Sequence, residues 1–256
     1  MSDRFSEPPV STALHASSKP GKNQLLAALP ASDLFRWQPH IEPVELRAGQ
    51  VLCDSGCAPR CVVFPTTATV SLLCLTRDGG TAEIATVGHE GVIGISLFMG
   101  GHATTSQAVV QSAGQGLRLH PQVARDEAQR AGSALQLVLR YAQALIAQVA
   151  QTALCNRYHT IEQQLCRRML LGLDRSATGE LRMTQEAAAN LLGVRREGVT
   201  AAALKLQQAG VIRYGRGRIE VLDREALEGR TCECYAVTTK EHQRLLPTPA
   251  PLPVAA

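Results

Sequence analysis

The chain has 256 residues, 45% of them apolar and 19% charged, enough for one large domain or two modest ones. Those proportions exclude a polyelectrolyte tail and a mostly disordered chain. Aromatics at 4%, with a single Trp37, argue against an aromatic base-stacking surface. The net charge of +4 is uneven. Residues 1–155 hold 11 Lys/Arg against 11 Asp/Glu, and residues 156–256 hold 15 against 11, so a neutral half precedes a basic half suited to a polyanion.

The opening MSDRFSEPPV places acids and prolines where a secretory signal needs an apolar stretch. No apolar run reaches the roughly 18 residues that span a bilayer. A cytoplasmic location with no membrane partner is therefore expected, and there the eight cysteines stay reduced. Residues 1–24, rich in Ser, Pro and small side chains, are expected as a mobile tail.

From about residue 41 to 120 the short segments VVFP, TVSLLCLT, AEIATVG, QAVVQ and GLRLH are separated by turn material at Asp54–Gly56, Asp78–Gly80, Gly88–Gly91 and Gly100–Gly101. Strands this short, without helical crossovers, predict an antiparallel sandwich, barrel or roll over residues 25–120. Residues 121–155 then change period. Leu135, Val138, Leu139, Ala142, Leu145, Ile146 and Val149 recur at three- and four-residue spacing, the pattern of an amphipathic helix. Its apolar stripe serves either packing against its own domain or pairing with a second subunit.

Residues 156–235 carry the most specific signal. Thr184 is placed to cap the helix QEAAANLLG, and Gly193 supplies a turn. A second helix begins in RREGVT and stops at Gly210. Two short helices around a glycine turn form a helix-turn-helix. VIRYGRGRIEVL then reads as a β-hairpin with a basic tip, which makes the unit a winged helix. Arg195 and Arg196 open the second helix, where base edges are met. Arg213, Arg216 and Arg218 on the hairpin suit phosphate contacts. The remaining residues, 236–256, end in PTPAPLPVAA and are expected as a C-terminal tail.

The run MTQEAAANLLGVRREGVTAAALKLQQAGVIRYGRGRIEVLD strongly resembles the DNA-binding domain of the Crp/Fnr family of bacterial transcription regulators. The upstream CNRYHTIEQQLCRRMLL looks like the helix leading into that domain. GQVL, VVFP and EGVIG resemble, more loosely, the family's cyclic-nucleotide-binding-type β-roll, so the likeness covers about residues 25–235. It implies an α+β fold with an N-terminal antiparallel, jelly-roll-like β-roll, a long dimerisation helix and a C-terminal winged helix-turn-helix. It also implies a homodimer on a pseudo-palindromic double-stranded DNA operator, with RNA polymerase as a further partner. Arg196 and Glu197 match the family's base-reading pair; where another base-reading Arg follows in the best-known members, this chain has Ala201. Thr184, Gln185, Arg195, Thr200, Lys205, Arg216 and Arg218 complete the expected DNA-binding set.

The resemblance also implies an effector pocket at Gly94, Ile95, Thr104 and Thr105. Cyclic-nucleotide binders carry a Glu where this chain has Ile95, and an Arg-Ser pair where it has Thr104-Thr105. Ile accepts nothing from a ribose hydroxyl and Thr does not neutralise a phosphate, so cyclic AMP is not expected and the cofactor stays unknown. Oxygen sensors of the family hold an iron–sulfur centre with cysteines N-terminal to the roll, but residues 1–52 contain no Cys. Cys53, Cys57 and Cys61 are spaced C-x3-C-x3-C, which is not a familiar cluster spacing, and a fourth ligand such as Cys74 or His89 would be needed. Small buried thiols are the plainer reading. Cys232 and Cys234 are expected on one face of a strand, a poor chelate by themselves, and no metal site is assigned. A redox- or metal-sensing module acting through protein contacts is the alternative function. No GxSxG, HExxH, P-loop or GxGxxG stands in its proper context, so no enzyme is expected.

Overall fold

The computed structural model describes residues 19–101, 103–176, 181–215 and 217–246. The alternating segments form seven strands: β1 (Ile41–Leu46), β2 (Val51–Cys53), β3 (Val62–Pro65), β4 (Thr69–Leu75), β5 (Thr81–Val87), β6 (Gln107–Ser112) and β7 (Gly114–Leu119). They pair antiparallel in two sheets, ordered β1-β7-β3 and β2-β6-β4-β5. Val63, Val70, Val87, Ala108 and Val110 point between the sheets and are buried. Two short helices, α1 (Gln24–Ala27) and α2 (Ala31–Trp37), close one end. There Trp37 packs against Phe64 and Phe98, with ring centroids 6.3 and 5.7 Å away.

Residues 19–24 are structured although the composition of residues 1–24 reads as tail; residues 1–18 lie outside the described residues. Asn23 is fully buried and donates to the carbonyls of Pro65 (2.8 Å) and Gly91 (2.9 Å) while its side chain caps α1. A side chain with three satisfied polar contacts pins the segment where its sequence alone reads as tail.

The amphipathic region divides. Helix α3 (Pro121–Arg130) ends at Ala131, which takes φ +53°, and α4 (Ser133–Tyr158) follows. On α4, Ala134, Leu137, Val138, Tyr141, Ala144, Gln148, Thr152 and Cys155 face inward at helical spacing. After a capping box of Thr160 and Gln163 comes α5 (Ile161–Arg175). The last unit holds β8 (Leu181–Arg182), α6 (Gln185–Leu192), α7 (Arg196–Gln208), β9 (Ile212–Gly215), β10 (Arg218–Val221), α8 (Arg224–Arg230) and α9 (Glu233–Leu245). β8, β10 and β9 form a three-stranded antiparallel sheet.

Helix α9 corrects the expected tail over 236–256. Its first ten tail residues are helical and the helix packs on α4, burying Thr238 and Leu245. Residues 247–256, with the proline-punctuated end, lie outside the described residues. Among the described residues, no helix is long and apolar enough to cross a membrane. The architecture is α+β: an antiparallel β-roll, long helices and a C-terminal helix-turn-helix.

Candidate nucleic-acid interface

Helix α6 starts where its sequence places it. The Thr184 hydroxyl accepts from the Ala187 amide at 3.0 Å, satisfying one of the orphan donors of the first turn. It stops at Gly193, whose φ of +65° is left-handed and open to glycine without strain. The turn leads into α7, with Arg195 as its N-cap residue and Arg196 as its first helical residue. Val199, Ala202, Ala203 and Leu206 bury the inner face of α7 against α5 and α6. The approach is close at Gly198, where a Cβ would stand 2.6 Å from Ile161 Cδ1. A side chain there would require Ile161 to turn aside.

The outer face of α7 is thereby presented. Arg195, Arg196, Glu197, Thr200 and Lys205 are all exposed. The Thr200 hydroxyl donates to Gln185 Oε1 at 2.7 Å, joining α7 to α6 beside Thr184. Arg196 has one loose ionic neighbour, Glu186 on α6, at 3.9 Å. The structure thus brings Thr184, Gln185, Arg195, Arg196, Glu197 and Thr200 together around the helix-turn-helix junction. Lys205 lies further along the same helix.

On the hairpin, Tyr214 donates to the Met183 carbonyl at 2.8 Å and fastens β9 to the strand before α6. Arg218 is exposed at the start of β10. Arg213 is exposed on the same hairpin. It faces Glu220 directly across the strands and is ion-paired to it at 2.8 Å. Arg216 lies outside the described residues.

A second feature sits in the roll. A cavity of about 260 Å3 is lined by Gly94, Ile95 and Thr104 together with Leu72, Val92, Ser106 and others, and by Leu145, Ile146 and Val149 of α4. Three of the four expected pocket residues meet there; Thr105 is not among the lining. The contribution of α4 is absent from the expected set, although the spacing of Leu145 and Val149 marks a continuous helix face. Among the described residues that line the cavity, none is acidic or basic.

A Crp-like helix-turn-helix domain profile matches residues 163–230, which hold α5 to α8 almost entire. The chain carries a Crp-like helix-turn-helix domain. Solved structures of Crp/Fnr regulators share the fold of this chain. FixK2 from Bradyrhizobium japonicum is 17% identical, with a TM-score of 0.63 over 75% of this chain and 98% of that one. The c-di-GMP responsive global regulator CLP from Xanthomonas campestris is 14% identical, with a TM-score of 0.60 over 75% and 99%. A CRP-family transcriptional regulator from Thermus thermophilus is 20% identical, with a TM-score of 0.59 over 73% and 95%. No curated protein matches the sequence.

The cysteines of this chain sort differently from their spacing. Cys53 is buried, Cys57 exposed and Cys61 half-buried. Among the described residues they belong to no grouping of metal-type ligands. Cys232 and Cys234 are not on a strand. They open helix α9, and both are buried against Cys155 of α4. Cys155, at the end of the long apolar helix, carries no pairing signal in the sequence, because its neighbours lie 77 residues away.

Proposed function

We propose that the chain is a sequence-specific DNA-binding transcription regulator, acting as a homodimer on a pseudo-palindromic operator with a signal received at the roll. The observation that carries this reading is the exposed face of α7. Arg196 and Glu197 sit in its first turn, held by a packed inner face and a glycine turn rather than tied up in ion pairs. An Arg so placed is shaped to fork onto guanine O6/N7, and a Glu to accept from cytosine N4. Thr184, Gln185, Arg195 and Thr200 border that pair, and Lys205, Arg216 and Arg218 supply charge for the phosphates.

Support for the homodimer comes from α4. Away from its buried face, Leu139, Leu154 and Tyr158 are exposed, with Ile146 exposed at the rim of the roll cavity, an apolar stripe that a second copy of the same helix would cover. Two recognition helices so joined call for half-sites about one helical turn apart, roughly 10–10.5 bp. RNA polymerase is the further partner, and a chromosomal operator places the protein in the cytoplasm.

The uncharged cavity supports a signal other than a cyclic nucleotide, whose phosphate would meet no cation among the described lining residues. The same holds for the cyclic dinucleotide named for the Xanthomonas protein. The deciding experiment is footprinting of genomic fragments at low salt. Protection of a two-fold symmetric site is expected, and no protection by folded dimer would overturn the reading. In parallel, cyclic AMP should leave Tm unmoved; a dose-dependent rise would overturn the reading of Ile95 and Thr104.

A further inference from the structure

Four side chains from two distant segments meet where the long helix ends. Cys155 lies in the last turn of α4 and His159 is its C-cap residue, four positions on and so on the same face. Cys232 is the N-cap residue of α9, and Cys234 lies in that helix's first turn. Their sulfur and ring-nitrogen atoms all fall within 4.8 Å of one another. Cys155 Sγ is 3.6 Å from Cys232 Sγ, and Cys234 Sγ is 3.6 Å from His159 Nδ1.

These separations have a chemical meaning. A tetrahedral zinc ion with Zn–S of about 2.3 Å and Zn–N of about 2.0–2.1 Å has S···S edges of about 3.8 Å and S···N edges of about 3.6 Å. Both short contacts match those edges. The widest pair, at up to 4.8 Å, would have to close by roughly 1 Å. The space holds one ion and not a multi-iron cluster.

The surroundings are those of a ligand set. Cys155, Cys232 and Cys234 are buried as a group of their own, apart from the aliphatic cores on either side. His159 turns Nδ1 to the thiols, while its Nε2 lies 3.3 Å from the exposed carboxylate of Glu233. A metal-bound imidazole holds its other nitrogen in this way, with a carboxylate fixing the tautomer and the ring plane. Gln164 Nε2 donates to the carbonyls of His159 (2.9 Å) and Cys155 (3.4 Å), bracing the end of α4.

We propose that Cys155, His159, Cys232 and Cys234 form a closed tetrahedral site for one zinc ion per chain. Three thiolates and one imidazole leave no open position, so the role is structural. The ion would clasp α9 to the end of α4. The whole winged helix lies between those two segments, so the clasp closes a loop of 77 residues and fixes the DNA-binding unit to the long helix. Loading displaces thiol protons, as thiolates are the ligands.

The test uses the full chain, purified anaerobically without a metal-binding tag. Metal analysis should return one zinc per chain, removable by chelator with a fall in Tm. Cobalt(II) added to the stripped protein should give tetrahedral d–d bands and thiolate charge-transfer bands. Cys234→Ser and His159→Ala should abolish or shift those bands, while Cys57→Ser in the roll leaves them unchanged. The wild-type cobalt spectrum decides the matter even where a variant fails to fold. Folded, reduced protein that takes up neither ion would overturn the proposal. So would an octahedral cobalt spectrum, or a Cys155–Cys232 disulfide whose reduction restores no metal binding.

Discussion

The two halves of the molecule treat charge in opposite ways. Where the roll meets α5, acids and arginines are buried in pairs. Arg175 Nε stands 2.5 Å from Glu90, with side chains 7% and 9% exposed. Arg168 lies 2.6 Å from Glu83, an ion pair whose Nε–H is not aligned on the oxygen. On the helix-turn-helix, Arg196 and its nearest acid are 63% and 61% exposed and 3.9 Å apart. A buried pair is fixed by its desolvation: neither member leaves without stranding the other. An exposed arginine at the head of a helix gives up little when it changes partner, and so stays available to DNA. Burial, rather than net charge, separates the arginines that hold the protein together from those that face a ligand.

The largest break in this contrast is Arg175→Ala. Glu90 would remain buried without its cation, and about 3–5 kcal/mol of stability should be lost, read as a lower urea midpoint at unchanged slope. A loss below about 1 kcal/mol would mean that Glu90 reaches water. Acid probes the same pair. Burial alone would raise the Glu90 carboxyl, but Arg175 and His242 outweigh it and hold the group below its ordinary 4.5. The folded value lies under the unfolded one, so the stabilisation is present above the unfolded value and is lost as pH falls through the folded value. Glu90→Gln should flatten the acid limb of stability against pH; an unchanged limb would assign acid sensitivity elsewhere.

On the exposed side the effects are smaller and fall on binding. Arg196→Ala should keep the melting curve and cost roughly 1–3 kcal/mol on the operator while relaxing sequence preference. Equal loss on random DNA in a gel-shift titration would remove Arg196 from base readout. Arg216→Ala and Arg218→Ala should each weaken all sequences alike and lower the salt slope by about one; an unchanged slope would take the hairpin off the phosphates. The smallest effect belongs to Glu220→Gln. Its exposed cross-strand pair with Arg213 contributes about 0–1 kcal/mol, so a larger loss of stability would show that the pair is shielded from solvent.

Much of the winged helix is legible from the sequence because its signals are local. The Thr184 cap, the Gly193 turn, the helix beginning at Arg196 and the Gly210 stop each depend on neighbours within a few residues. The strands of the roll are legible for the same reason, through alternation and turns. Less legible are features that belong to two segments at once. Residues 121–155 are two helices rather than one, divided at Ala131 and Gly132, and α9 extends into a stretch that composition alone reads as tail. For α9, packing against α4 outweighs weak local preference.

The cysteines mark the boundary between the two kinds of information. Cys53, Cys57 and Cys61 are neighbours along the chain but form no grouping of ligands among the described residues: Cys53 is buried at the end of β2, Cys57 is exposed and Cys61 is half-buried. Cys155 and Cys232, 77 residues apart, have touching sulfurs. The helix-turn-helix, its caps and the arginines that head α7 follow from local sequence, since helical period and capping act over three or four residues. Only the tertiary structure decided which acids neutralise which buried arginines, that α4 lines the roll cavity, and that His159 meets three thiols. Those depend on distances across packed elements, which spacing along the chain does not encode.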